Sequence, residues 1–441
     1  MLARKARTMR RRLPGAGGCL ALVCSALSIL AAEPLPSLDQ LTLVDQASFN
    51  HDASRVVVKF DEKHVGLWEV ATGAPIAPNA DWQTPCAAFV MSADGRSVLL
   101  ALGESGARVF DTHSGLARSE KLEVRFRDPT FPQAVFSPDS ASVVIFEEKS
   151  AAVFTVASGR RVATLPLTAG TAEEELSPSA VFTRDGASCF VIDGAGTVTR
   201  YDTKTWQPIG KPLRHPAASS AYSYGLAIDA ESRWLATFDG PGENGPKGQL
   251  QPWDMATGRA VGKPIAAVNG MAGAFLPAAN RLLLTPGRGE ASVRELPSLK
   301  KLFAIRAHDD VDGPGVAFSP DGQWLVSWGS DRMIRIIEAA TGAVKDTHVF
   351  HSTISEVFLL PDSRGCLAVF DNTAFLAQDH HDHYVVRIPF GGQIAATLRL
   401  TEPLHRTALS PDGRRFLVIA GPTDAERLLF FDATTLKPLA R

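Results

Sequence analysis

The chain has 441 residues, 45% of them hydrophobic and 21% charged, a balance that excludes intrinsic disorder and suits a folded globular protein. The formal net charge is −2, but Arg4, Lys5, Arg7, Arg10, Arg11 and Arg12 all fall in the first 32 residues; without them 39 Lys and Arg face 47 Asp and Glu, a balance near −8. With no basic stripe in the remainder, neither nucleic acid nor an anionic membrane surface is expected as a partner.

Residues 1–32 read as a signal peptide. A basic stretch through Arg12 precedes the apolar run from Cys19 to Ala32, which is too short to span a bilayer comfortably and closes on small residues. Cleavage is expected near Ala31 or Ala32, with an uncleaved anchor as the alternative. No later stretch has the length and apolarity of a membrane span. Cys19 and Cys24 leave with the signal. Cys86, Cys189 and Cys366 are too scattered for a disulfide framework and are expected as buried free thiols.

From residue 47 to the end one pattern recurs. An apolar residue leads into a polar turn, a β-rich run follows, and a second β-run ends in an aromatic or apolar residue beside an acidic one. Unit one reads ASFNHDASRVVVKF, then VGLWEVATG; unit seven reads VAFSPDGQWLVSW, then IRIIEAATG. The anchors Phe49, Phe89, Phe136, Phe182, Ile228, Phe275, Phe318, Phe358 and Leu409 are spaced 40 to 51 residues apart, with a mean of 45. That period is the length of a propeller blade. The runs are short and alternating, rich in Val, Ile and Phe, and they predict antiparallel strands.

The repeated turn residues have structural chemistry. Asp94-Gly95, Asp185-Gly186, Asp321-Gly322 and Asp412-Gly413 supply residues that tolerate a tight hairpin, and Thr-Gly or Ser-Gly pairs close the outer turn. Leu41-Thr-Leu-Val44 precedes the first anchor where other units have an outer strand, so it is expected to complete the last blade and fasten the ring.

Candidate chemistry is sparse. Asp239 to Gly248 reads as an expanded hairpin loop, and Glu173 to Glu175 as a solvated run. Asp309-Asp-Val-Asp312 lacks the first and twelfth ligands of an EF-hand. The cluster Asp379-His-His-Asp-His383 makes His380, His381 and His383 the candidate metal ligands, but a solvated loop tip is the expected role, so no metal site is assigned.

Residues 303–342 resemble a WD-repeat unit nearly end to end, and the chain resembles the WD-repeat and quinoprotein-like propeller superfamily over about nine-tenths of its length. The resemblance implies an all-β fold: a single β-propeller over residues 33–441, of about nine four-stranded units. Nine blades exceed the usual four to eight, so an eight-bladed ring with one irregular unit is the alternative. It further implies a buried hydrogen-bond network in unit seven, with His308 and Asp331 as partners and Ser327 or Ser330 as the hydroxyl. Ile337 stands where the family has Trp; Trp68 and Trp253 keep that residue in units one and five. The function implied is a non-enzymatic, exported scaffold, periplasmic or secreted, monomeric, binding other proteins and using no cofactor. The alternative is a quinoprotein-like or hydrolytic enzyme working at the central channel.

Overall fold

A computed structural model of the protein describes residues 46–60, 64–76, 82, 86, 88–102, 106–126, 133–168, 179–216, 221–241, 248–266, 271–275, 280–286, 291–305, 315–329, 331–370, 383–422 and 426–439. These form nine antiparallel sheets in chain order, the blades of a nine-bladed β-propeller: 46–69, 88–111, 134–166, 179–214, 221–266, 271–305, 315–349, 354–400 and 404–432. No helix occurs among the described residues. Within each blade the strands pair in sequence order, except that in blade 5 Ile265–Ala266 pairs with Gln249–Asp254 alongside Arg259–Ala260. First strands of neighbouring blades touch, as Gln46–Phe49 does with Leu404–Leu409, so they lie nearest the ring centre.

The repeat is written in one hydrogen-bonded turn. Its first residue donates its amide to the carbonyl five residues on: Asn50 to Arg55, Ser92 to Ser97, Ser137 to Ser142, Thr183 to Ser188, Ser319 to Trp324 and Ser410 to Arg415. Where that residue is Ser or Thr, its hydroxyl donates to the Asp two places later, at 2.6 Å in Ser92–Asp94 and Ser319–Asp321. The same oxygen accepts the amide of the residue starting the next strand, as in Ser97 at 2.9 Å. This side chain-to-backbone exchange is why Ser, Thr, Asn and Asp recur there. The bonds also correct two anchors. Met91, not Phe89, precedes the turn in blade 2, and Leu359, not Phe358, precedes it in blade 8.

The residue after the turn's Asp is left-handed. At Gly95 (φ +65°) an added Cβ would stand 2.7 Å from the backbone nitrogen of His51, whose amide donates to the Gly95 carbonyl at 3.2 Å; the two blades meet there too closely for any side chain. The outer turn solves the same problem differently in blades 4 and 9. There Trp206 (φ 55°) and Leu436 (φ 53°) take the left-handed position. Both are buried, and Trp206 packs edge-on against Phe182. Burial of a large apolar side chain offsets the backbone strain.

The core is divided among the nine junctions between blades. Phe89, Val98 and Leu67 fill the junction of blades 1 and 2; Val326, Ile336 and Phe370 fill that of blades 7 and 8. The ring closes by the same packing. Phe49, Val58 and Trp68 of blade 1 share a cluster with Leu417, Leu428 and Phe430 of blade 9. Phe49 and Phe430 meet edge to face at 6.0 Å, and Arg415 Nη1 donates to the Ala53 carbonyl at 2.8 Å. In blade 9 the outer position begins with Pro438 opposite Phe431. The strand expected from Leu41 to Val44 lies outside the described residues.

Two measurements test this account. Phe430→Ala removes the largest apolar contribution of blade 9 to the closing junction and is expected to cost about 3–5 kcal/mol in denaturant unfolding. A cost below about 1 kcal/mol would show that the seam does not hold the ring. The second concerns acid. Burial works against ionisation of Asp52 and Asp111, but the Ser54 hydroxyl and amide, and for Asp111 the Ser114 amide and Arg118, outweigh it and hold both carboxyls at about 2. A carboxyl with a lowered folded-state pKa contributes stability above its unfolded value, 3.8, and loses it as pH falls through about 2. Melting temperature is therefore expected to drop between about pH 4 and pH 2, and Asp111→Asn to lessen the drop.

Candidate functional site

The residues singled out in the sequence are widely separated. Trp68 is fully buried in the closing junction and packs edge-on against Phe60 at 5.7 Å. In blade 7, Asp331 accepts the Met333 amide and an Arg335 Nη2 bond, each at 3.1 Å, while Ser327 is buried on the second strand and Ile337 packs in the junction of blades 6 and 7. His308 and Ser330 lie outside the described residues, as do His380 and His381. His383 is buried and starts the strand His383–Pro389, opposite Leu400. Among the described residues no three His, Cys, Asp or Glu side chains are grouped as a metal would require. Cys86, Cys189 and Cys366 are buried free thiols. Burial pushes Cys86 and Cys366 up to about 12, and Cys189 upward as well.

The inner strands of the described chain carry acidic or basic side chains only in blades 8 and 9: Glu356, His405 and Arg406. Glu356 accepts the Thr407 hydroxyl at 2.8 Å. Its surroundings raise its pKa, with Thr407 and Arg406 acting the other way. His405 donates from Nε2 to the Gly421 carbonyl at 2.6 Å.

A buried polar network of the kind expected in unit seven is assembled in blade 5. The indole N–H of Trp253 donates to Thr237 Oγ1 at 3.1 Å, and that hydroxyl meets His215 Nδ1 at 2.6 Å. His215 Nε2 faces Asp239 Oδ2 at 3.6 Å, and Asp239 Oδ1 accepts the Gln249 amide. All four side chains are buried. The Thr237 oxygen accepts from Trp253, and its hydroxyl also reaches the Gln251 carbonyl at 3.4 Å. From the sequence, Asp239 is expected at the start of an expanded hairpin loop. The strand Trp234–Pro241 instead carries it inward, and Thr237 stands 16 residues before Trp253, whereas Ser327 stands 10 before Ile337. The long hairpin had hidden the spacing.

A cleft lies between blades 4 and 5, at the end carrying the tight turns. It encloses about 500 Å³ and is lined by Phe190, Arg200, Arg233, Trp234, Met255 and the turn acids Asp185 and Asp254, among others. One residue of its lining departs from the repeat. Two places before the end of the third strand, Leu67, Val109, Val153, Val293, Ile336 and Phe430 each enter the core shared with the next blade. Blade 4 has Arg200 there, on the same face as Val198, which does pack toward blade 5. Arg200 donates from Nε to Ser188 Oγ at 3.0 Å, and its guanidinium lies 5.6 Å from the Phe190 ring centre. Nη1 and Nη2 have no hydrogen-bond partner among the described residues, and no carboxylate pairs with Arg200. The nearby charges are otherwise engaged. Arg233 pairs with Asp229 and Glu231 at 3.2 and 2.9 Å. Asp254 accepts the amides of Ala256 and Thr257 at 2.8 and 3.1 Å. The Thr183 hydroxyl and Ala187 amide hold Asp185 below the ordinary carboxylate range, and Arg200 adds to this. Arg200 was not singled out in the sequence, because a polar residue in TVTRYD fits the alternation of an exposed strand face.

Thr237 is the hub of the blade 5 network. Thr237→Val leaves the buried Trp253 N–H and His215 Nδ1 without it and is expected to cost about 1–3 kcal/mol by denaturant titration. Thr237→Ser, which keeps the hydroxyl, is expected to recover most of that loss.

No family model and no curated protein matches the chain. Solved structures do. A crystal structure of a eukaryotic initiation factor superposes with a TM-score of 0.64 at 13% identity, covering 85% of this chain and 92% of that one. BamB from Moraxella catarrhalis gives 0.49 at 14% identity, covering 76% and 95% respectively. The C-terminal WD40 domain of Sif2 gives 0.49 at 10%, covering 89% and 95%. The superposition on the initiation factor shows a shared fold, which the nine sheets and the repeated turn identify in this chain as a β-propeller.

Proposed function

We propose that the protein is a non-enzymatic β-propeller, exported to the periplasm or beyond, that acts as a monomeric scaffold for another protein. The observation that carries this reading is the cleft between blades 4 and 5. It brings Arg, Trp, Phe and Met side chains together around one opening, and Arg, aromatic residues and Met are enriched where proteins dock. The frame around it is held by many short turn bonds and by packing at every junction, so it can present the opening without reorganising, and a pre-organised surface loses less entropy on binding. No cofactor is assigned to this role.

Export rests on residues 1–32. The basic start, short apolar run and small closing residues support secretion with removal of the segment, leaving residues 33–441 as the propeller.

Two experiments test the proposal. Cell fractionation with N-terminal sequencing is expected to find the chain outside the cytoplasm, beginning at Ala32 or Glu33. Precursor-length chain confined to the cytoplasm would overturn export. For the scaffold role, a photo-crosslinking amino acid at Met255, in the cleft, is expected to trap a discrete protein in the native envelope fraction. The same probe at the exposed outer-strand Val349 serves as comparison. No adduct at Met255, or adducts equal at both positions, would overturn this use of the cleft.

A further inference from the structure

We infer that the cleft between blades 4 and 5 is a carboxylate-recognition subsite, in which Arg200 receives an aspartate or glutamate side chain presented by the protein partner. The inference rests on the scaffold reading and names the chemistry of its site.

In six blades the position of Arg200 is an apolar residue packed into the next junction, as Val109 and Val153 are. An arginine there gives up apolar burial and places a charge at the mouth of a junction core, which is costly unless the charge finds partners. The protein supplies only part of what a guanidinium needs. Ser188 takes one of its five N–H groups, and Phe190 offers a ring face. Arg200 exerts a Coulombic pull on the turn carboxylate of Asp185, but its Nη1 and Nη2 make no hydrogen bond among the described residues where they open onto a space of about 500 Å³. Those two nitrogens form the fork that binds a carboxylate through two parallel bonds.

Charge selects among anions. Among the described residues, Arg200 and Arg233 line the cleft with the carboxylates of Asp185 and Asp254, and Arg233 is ion-paired with Asp229 and Glu231. A single carboxylate is matched by Arg200. A phosphate carries about −1.5 to −2 at neutral pH, so the repulsion from Asp185 and Asp254, which a carboxylate also meets, is larger for it. Phe190, Met255 and Trp234 give the cleft apolar surface for the chain bearing the acidic residue, which favours a peptide segment over a free inorganic anion.

The test uses the full chain and three probes: N-acetyl-glutamate amide, its glutamine counterpart and inorganic phosphate. Binding is read on the Arg200 Nε–Hε resonance, assigned by its loss in Arg200→Lys. The glutamate probe is expected to shift that signal saturably, and the other two to leave it in place. Arg200→Val installs an apolar residue as in six other blades, so its melting temperature is expected to match or exceed that of the parent while the Met255 cross-link falls about tenfold or more. Equal response to glutamate and glutamine, tighter binding of phosphate, or full cross-linking by the Arg200→Val protein would overturn the carboxylate subsite. The last result would leave the scaffold role standing, whereas absence of any cross-link in the parent chain would remove the scaffold itself.

Discussion

Apolar contact between neighbouring blades is the interaction on which the rest of the structure depends. A four-stranded sheet has two faces, and in this ring both are covered by other blades. Val57 and Leu67 of blade 1 face blade 2, while Val56, Val58 and Trp68 face blade 9. No blade can bury both faces alone, so each requires its neighbours, and the first requires the last. Closure is then one more junction of the usual kind, with Phe430 and Arg415 reaching back to Phe49 and Ala53.

Much of this was legible because the junctions repeat. Alternating Val, Ile and Phe, punctuated by Ser-x-Asp-Gly turns, set a period that the nine sheets follow. What the pattern could not supply was register. Phe89 and Met91 lie two residues apart on one face and enter the same core cluster, so periodicity alone could not say which precedes the turn. Phe358 and Leu359 are adjacent and both apolar; only the turn's hydrogen bonds separate them. The blade 5 network was hidden for a related reason. Its residue types were all visible, but an extended hairpin separates Thr237 from Trp253, and a template of fixed spacing passes over them. In blade 7 the residues that matched the template include His308 and Ser330, which fall outside the described residues.

The candidate site was not legible at all, and the cause is physical. A residue on a strand face shows in sequence only whether it is polar or apolar. Whether that face meets water or a neighbouring blade depends on the blade's position in the ring. Arg200 reads as a solvent-facing residue until Val198 is seen packing toward blade 5 from the same side of the strand. The repeat then becomes a reference frame: a polar residue where six other blades place an apolar one in a junction core is a departure that can be located without any alignment of relatives.

The ring's architecture explains how such a departure is tolerated. Stability in a repeat assembly is approximately a sum over units and junctions, so one junction can be weakened while eight remain. The loss at blades 4 and 5 is also local. Deeper in that junction Phe190, Ile192, Val198, Leu235 and Trp253 still form a continuous core, and only the end near the turns is given over to Arg200. Just beyond Leu235 in the strand, Thr237 anchors the His215–Asp239 network with Trp253 from the same cluster. That network fixes blade 5 through directional bonds, which specify geometry more tightly than apolar contact does. The blade that forms one wall of the cleft is therefore braced by polar bonds as well as apolar packing, and a cleft whose walls keep their separation when empty loses little entropy when a partner's side chain enters it.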